Sequence, residues 1–161
     1  MLSPSLGRRR RGPMQYGGFW KRVVAYIIDL IPLAIVGAFL AVSSGQDLLA
    51  PAAAPGFGFT DLIGLLIGIA YFVGFESSSW QATPGKRALG MIVVDKSGRR
   101  ITPGRALGRY FAKILSGLVL LIGYIMIAFT ERKEGLHDMI AGTLVVVGEP
   151  GAVGYDAAVF E

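Results

Sequence analysis

The chain has 161 residues and a formal net charge of +5; 53% of its residues are hydrophobic and only 17% are charged. Soluble domains carry about 25% charged residues, and here the apolar excess is gathered in blocks, so a bilayer suits the chain better than an aqueous core. The length suits one domain, and the absence of cysteine excludes a disulfide framework, a thiolate metal site and a cysteine nucleophile.

Residues 1–17 hold Arg8, Arg9, Arg10 and Arg11 among Gly and Pro. They read as a disordered basic arm, either simply solvated or in contact with anionic lipid headgroups. Residues 23–42 are apolar throughout except for Asp29. Twenty helical residues rise about 30 Å, the thickness of the hydrocarbon layer, and Phe19 and Trp20 stand where an interfacial aromatic belt lies. A cleaved signal peptide is the rival reading, but its apolar core is normally about 7 to 15 residues without a charge. This run is longer, contains Asp29 and is followed by further apolar segments.

Residues 43–58 are rich in Gly, Pro, Ala and Ser, with Asp47 as the one charge, and read as a short exterior loop. Residues 59–75 form a second apolar block that residues 76–80 extend to the interface. Gly64 and Gly68 make a small-xxx-small pair, expected to pack the first two segments together. The stretch 80–109 is basic, with Lys86, Arg87, Lys96, Arg99, Arg100, Arg105 and Arg109. Against the loop with one acid, this asymmetry places the N-terminus and the basic stretch on the cytoplasmic side.

Within the basic stretch, Thr83-Pro84-Gly85-Lys86-Arg87-Ala88-Leu89-Gly90 is echoed by Thr102-Pro103-Gly104-Arg105-Ala106-Leu107-Gly108. In each, Thr can cap a helix and Pro can occupy its first turn. Between them Met91-Ile92-Val93-Val94 is strand-like and Asp95-Lys96-Ser97-Gly98 signals a turn; a second strand-like run covers 143–147. The third apolar region, 105–129, begins amphipathic, with Arg105, Arg109 and Lys113 on one face. Two topologies compete for it. One is a full span that leaves the C-terminus outside; the other, favoured here because it lets the two strands pair, is an interfacial helix followed by a bent, partly inserted return. Residues 148–161 read as an acidic, flexible tail.

The expected fold is therefore an all-α membrane protein: two transmembrane helices, a third amphipathic and partly inserted helical region, and a small cytoplasmic β element, with the membrane domain at 18–147. Four groups of residues, Phe19-Trp20-Lys21-Arg22 leading to Asp29, then Glu76, then 83–90 with Val93-Val94-Asp95, and finally Gly135-Leu136-His137-Asp138-Met139-Ile140-Ala141-Gly142-Thr143, resemble in kind and order the RDD family of small bacterial membrane proteins, named for one arginine and two aspartates. The resemblance covers roughly residues 18–147. It implies a multi-pass protein of the bacterial inner membrane, with Arg22 and Asp29 in the first helix and Asp138 as the second aspartate. Some members are linked to ion exchange, which makes transport an implication of the resemblance.

The residues themselves point the same way. Asp29 lies ten residues past Phe19, roughly 15 Å along a helix, and a lone acid near the midplane costs about 2.5–3.5 kcal/mol. It must face protein or water, or carry a proton. Arg22 and Asp29 share a helix face, but a rise of about 10 Å is long for a direct pair; Tyr26 lies between them as a candidate hydrogen-bond relay. Pro32, three residues past Asp29, frees the backbone carbonyl of residue 28. The candidate site is thus a polar cluster of Arg22, Asp29, Glu76 and Asp138, supported by Tyr26, Lys86, Arg87, Arg109 and His137. It would either bind a cation or proton, or only hold the helices together.

Catalysis, a cofactor and a metal are not expected. Thr83-Pro84-Gly85-Lys86 lacks the earlier Gly and the following Ser or Thr of a phosphate loop. His137-Asp138 holds the only histidine of the chain, too thin a set for a metal. The basic stretch lacks the interleaved aromatics of single-strand nucleic-acid binding, so lipid is the expected partner. Two functions remain: an ion-coupled transporter, which with so few spans would need to form a homo-oligomer, and a non-catalytic scaffold using its basic cytoplasmic face.

Overall fold

The computed structural model describes residues 15–45, 58–118 and 122–150. The arginine run at 8–11, the loop around Asp47 and the tail from 151 onward lie outside the described residues. Both apolar blocks are helical. Helix α1 (Phe19–Ser43) and helix α2 (Phe59–Ser77) are long and apolar enough to cross a membrane, extending roughly 37 and 28 Å. α1 continues through Pro32. At the start of α2 the Asp61 carboxylate accepts from the Gly58 N–H at 2.8 Å, which satisfies a donor that the helix leaves over.

The surfaces of these helices are the reverse of those of a water-soluble protein. On α1, Arg22, Ala25 and Asp29 are buried at the spacing of one helical face. The other sides are open: Ile35 is 66% and Phe39 70% exposed. A continuous apolar surface of this kind needs an apolar surrounding.

Residues 83–88 turn back against the start of α1. Helix α3 (Pro84–Ala88) is capped by Thr83, whose hydroxyl accepts from the Lys86 N–H, and Pro84 fills its first turn, as the motif predicts. Gly85 meets α1 so closely that a Cβ there would collide with the backbone carbonyl of Ala25. Strand β1 (Met91–Asp95) follows and pairs antiparallel with β2 (Thr143–Val147), with Met91 opposite Val147 and Asp95 opposite Thr143. Both strands are apolar on both faces because both faces are covered. Met91, Val93 and Val145 pack with Ala25, Ile101 and Ala106; Ile92, Val94, Leu144 and Val146 pack with Ala82 and Tyr16.

The edges of this small sheet are also used. Gln15 and Gly17 hydrogen bond to β2, at 2.7 Å to Val147 and 2.8 Å to Val145, while Gln81 and Arg99 present carbonyls to β1. Capping the edges removes the unpaired N–H and C=O rows that invite association. The arm's last three residues, 15–17, are thus attached to the sheet rather than disordered. The turn after β1 is closed by the Asp95 carboxylate, which accepts from Ser97 and Arg99 N–H groups, each at 2.9 Å.

The third apolar region is two helices, α4 (Pro103–Leu118) and α5 (Ile122–Phe129), followed by α6 (Leu136–Ala141). Thr102 starts α4 as Thr83 starts α3: its hydroxyl accepts from the Arg105 N–H at 3.3 Å. α4 is amphipathic with its charged face inward. Arg109 is 1% exposed, while Leu107, Phe111, Ile114 and Leu115 lie outside. Because β1 and β2 pair, the chain between them leaves and returns to the same small sheet. One expectation is corrected. Gly64 and Gly68 do not pack α1 on α2: Gly64 has open space beside it, and Gly68 faces the Tyr110 hydroxyl of α4.

The two Thr-Pro-Gly motifs make a built-in comparison. Gly85 is pressed on α1, whereas a Cβ at Gly104 would meet nothing. Gly85→Ala is therefore expected to cost about 1–3 kcal/mol through overpacking, and Gly104→Ala to be neutral or slightly stabilising. Thermal unfolding of the two variants in detergent micelles checks this; equal midpoints would contradict the close approach.

Candidate functional site

Asp138 sits in the first turn of α6, where its carboxylate accepts from the Gly135 N–H at 3.1 Å. The same carboxylate pairs with Arg22 of α1 and with Arg109 of α4, whose Nη2 lies 2.7 Å from Oδ1. Arg22 does more than pair. Its Nε donates to the Gly17 carbonyl at 2.7 Å and its Nη2 to the Lys133 carbonyl at 2.6 Å. Lys133 has a φ of 51°, a left-handed conformation rarely taken by residues other than glycine. One guanidinium thus ties the start of α1 to the residues before it, to the turn ahead of α6 and to α6 itself.

Glu76, near the end of α2, is the second buried acid. Its Oε1 accepts from Lys86 of α3 and from Lys113 of α4 at 3.1 Å, and its Oε2 lies 3.7 Å from Arg109 Nε. Arg109 therefore bridges Asp138 and Glu76, and five elements meet in one network. Burial alone works against the Asp138 carboxylate, but the guanidinium groups of Arg109 and Arg22 outweigh it and hold its pKa well below the usual carboxylate range. His137, 3% exposed, has its Nε2 3.6 Å from Asp138 Oδ1. Burial, reinforced by Arg109, Lys113 and Arg22 against the pull of Asp138, lowers its imidazole from 6.5 to about 3.

Asp29 stands apart from this network. Neutral donors hold its carboxylate: the Thr83 hydroxyl at 2.5 Å, the Gly85 N–H at 2.8 Å and the Tyr71 hydroxyl at 2.9 Å. The expected shelter by arginine is replaced by the folded-back loop, because α3 arrives at Asp29 with unsatisfied N–H groups at its start. Asp29 lies at the floor of the sheet-bearing cap, not alone within an apolar span.

The structure brings Arg22, Glu76 and Asp138 together and adds Lys86, Arg109 and His137. It does not bring Tyr26 or Arg87 into the network. Tyr26 is 55% exposed and its ring stacks on Phe72 at 6.2 Å, so the hydroxyl that reaches Asp29 is that of Tyr71. Arg87 is exposed and lies over the Trp80 ring at 4.8 Å. Sequence reasoning missed two partners. Lys113 had a signal, its four-residue spacing from Arg109; Tyr71 had none beyond being a phenol inside an apolar block. A cavity of about 490 Å³ opens between α1, α2, α4 and α5, with Arg22, Asp29, Lys86, Arg109, Lys113 and His137 at its polar end. Among the described residues no group of three or more His, Cys, Asp or Glu could hold a metal ion.

Residues 16–142 match the RDD family. The chain belongs to the RDD family. The matched span contains every residue of the network and ends just before β2. A Bacillus subtilis (strain 168) relative, the uncharacterized protein YxaI, is 38% identical over 145 residues, which cover 80% of this chain and 95% of that protein. From the same organism, the uncharacterized membrane protein YteJ is 31% identical over 139 residues, covering 81% of this chain and 80% of that protein. No solved structure matches the chain.

The single histidine makes one consequence easy to measure. A folded-state pKa lowered to about 3 means that the unfolded chain binds a proton between pH 6.5 and 3 while the folded chain does not. His137 therefore destabilises the fold as pH falls through that window, and Asp138, with its lowered pKa, adds to the loss below its ordinary value of 3.8. NMR of the imidazole in micelles is expected to show the neutral ring from pH 8 down to pH about 4. A titration midpoint near 6.5 would contradict the buried geometry.

Proposed function

We propose that this RDD-family chain is a multi-pass protein of the bacterial cell membrane that acts as a non-catalytic binding scaffold. Its N-terminus, sheet and α6 lie on the cytoplasmic side. The apolar exteriors of α1, α2 and α4 support the embedding, and the basic residues Lys96, Arg99, Arg100 and Arg105 beside the sheet support the orientation. The observation that carries the scaffold reading is the state of the acids. Three neutral donors occupy Asp29, and Asp138 is wedged between two guanidiniums. Both carboxylates are engaged by groups of the chain itself, which supports a network that holds the cap on the helices.

Ion-coupled transport remains as a second reading, favoured by Lys86 in place of Asp29. Burial lowers the Lys86 ammonium to about 7, with Glu76 opposing the shift, so a proton could exchange at this cavity-lining group near neutral pH. In this reading a homo-oligomer would supply the path that so few spans lack.

One measurement tests the orientation and a second separates the two readings. The chain has no cysteine, so Lys96→Cys and Ser44→Cys can be labelled one at a time with a membrane-impermeant maleimide in intact cells. Labelling of Ser44→Cys alone is expected; labelling of Lys96→Cys would reverse the orientation. In proteoliposomes the wild type is expected to show no sodium, potassium or proton flux above empty vesicles. Flux that disappears in folded Lys86→Met would overturn the scaffold reading and favour transport.

A further inference from the structure

The cavity between α1, α2, α4 and α5 joins two kinds of surface. Its lining includes Val23 and Ile27 from α1 and Ile127 from α5, together with Arg22, Lys86, Arg109 and Lys113. Those four cations are set against three carboxylates: Glu76 and Asp138, which pair with them, and Asp29, which also lines the cavity and accepts from Thr83, Gly85 and Tyr71. With all seven ionised, one positive charge is left over.

One side chain carries unmet donors. Arg109 is 1% exposed. Its Nη2 lies 2.7 Å from Asp138 and its Nε 3.7 Å from Glu76, but neither Nε nor Nη1 has a hydrogen-bond partner among the described residues. A guanidinium carries five N–H donors, and leaving a buried one unsatisfied is costly, the more so for a charged group. An acceptor with negative charge, entering along apolar walls, would remove that cost and balance the site.

We propose that this cavity binds an anionic phospholipid, its phosphodiester at Arg109 and its acyl chain along the apolar walls of α1 and α5. Phosphate oxygens match the fork geometry of arginine, and lysines at the edge add charge. The walls favour a lipid over a free anion, because inorganic phosphate leaves them bare. A metal cation is disfavoured by the same four positive groups. The inference takes the membrane embedding of α1 and α2 as given and adds a site to it.

Gly117 of α4 allows a test that spares the ion network. It lines the cavity, and a Cβ there would meet no described atom within 4 Å, so Gly117→Phe puts a ring into the space while leaving every charged side chain in place. The full chain is purified in a neutral detergent, and its thermal midpoint is followed against dioctanoyl phosphatidylglycerol, dioctanoyl phosphatidylcholine and inorganic phosphate. A ligand that binds only the folded state raises the midpoint by roughly 5–10 °C at a hundredfold excess over its Kd.

The anionic lipid is expected to give that rise in the wild type and not in Gly117→Phe, whose lipid-free midpoint stays unchanged. Phosphatidylcholine and phosphate should leave both proteins unmoved. An equal rise with phosphatidylcholine, or an undiminished rise in Gly117→Phe, would mean non-specific coating and overturn the site. An equal rise with phosphate alone would mean an anion site without a chain, and overturn the lipid. If Gly117→Phe does not fold, Ile27→Trp at the exposed rim replaces it with the same expected loss. Alkaline washing of the source membranes separates the two levels: a chain that washes off refutes the embedding, whereas one that stays and shows no lipid shift refutes only the site.

Discussion

A buried charge in a protein with an apolar exterior has no water to fall back on, so it must be matched within the chain. That constraint shapes the molecule around Arg109 and Arg22. Coulomb attraction strengthens as the local dielectric falls, but so does the cost of leaving either partner bare. Asp138 between the two guanidiniums, and Glu76 among Arg109, Lys86 and Lys113, solve both problems at once. Each acid belongs to a different segment from its partners, so meeting the electrostatic requirement also assembles the fold.

The assembly has a clear division of labour. Charge pairs join α1, α2, α4 and α6 at their inner faces, while apolar side chains build the two small cores on either face of the β1–β2 sheet. Asp29 supplies the joint between these parts. By accepting from Thr83 and Gly85 it pins the start of α3 against α1, and β1 follows three residues after α3 ends. The absence of a side chain at Gly85 permits the contact, and Gly142, with a φ of 60° at the end of α6, turns the chain directly into β2. The cap is therefore held at both ends by a named acid and a nearby glycine.

Much of this was legible in the sequence because it is local or periodic. The two long helices follow from apolar length, the starts of α3 and α4 from Thr-Pro, and the strands from β-branched runs bounded by turn residues. That Arg22 and Asp138 belong to one cluster came from the resemblance and not from spacing, since 116 positions separate them. What stayed hidden depends on partners brought in by the fold. Arg22 and Asp29 lie on one face of α1 yet serve different neighbours, because α6 reaches the first and α3 the second. Thr83-Pro84-Gly85 and Thr102-Pro103-Gly104 look alike, but only the first glycine meets a backbone. The inward-facing charges of α4 were visible as a stripe; that the stripe faces protein rather than headgroups depends on acids in α2 and α6.

The shared network makes Arg22 and Asp138 energetically dependent on each other. A double-mutant cycle of Arg22→Met and Asp138→Asn, followed by chemical unfolding in micelles, measures that dependence directly. Arg22→Met leaves Asp138 with Arg109 alone, and Asp138→Asn leaves Arg22 with two carbonyls and no acid; each change weakens the buried pair that the other residue relies on, so the second change on top of the first should cost less, with a coupling of about 1–3 kcal/mol. Additive losses would show that the two residues stabilise the chain independently, and that no common ionic joint holds the cap to the helices.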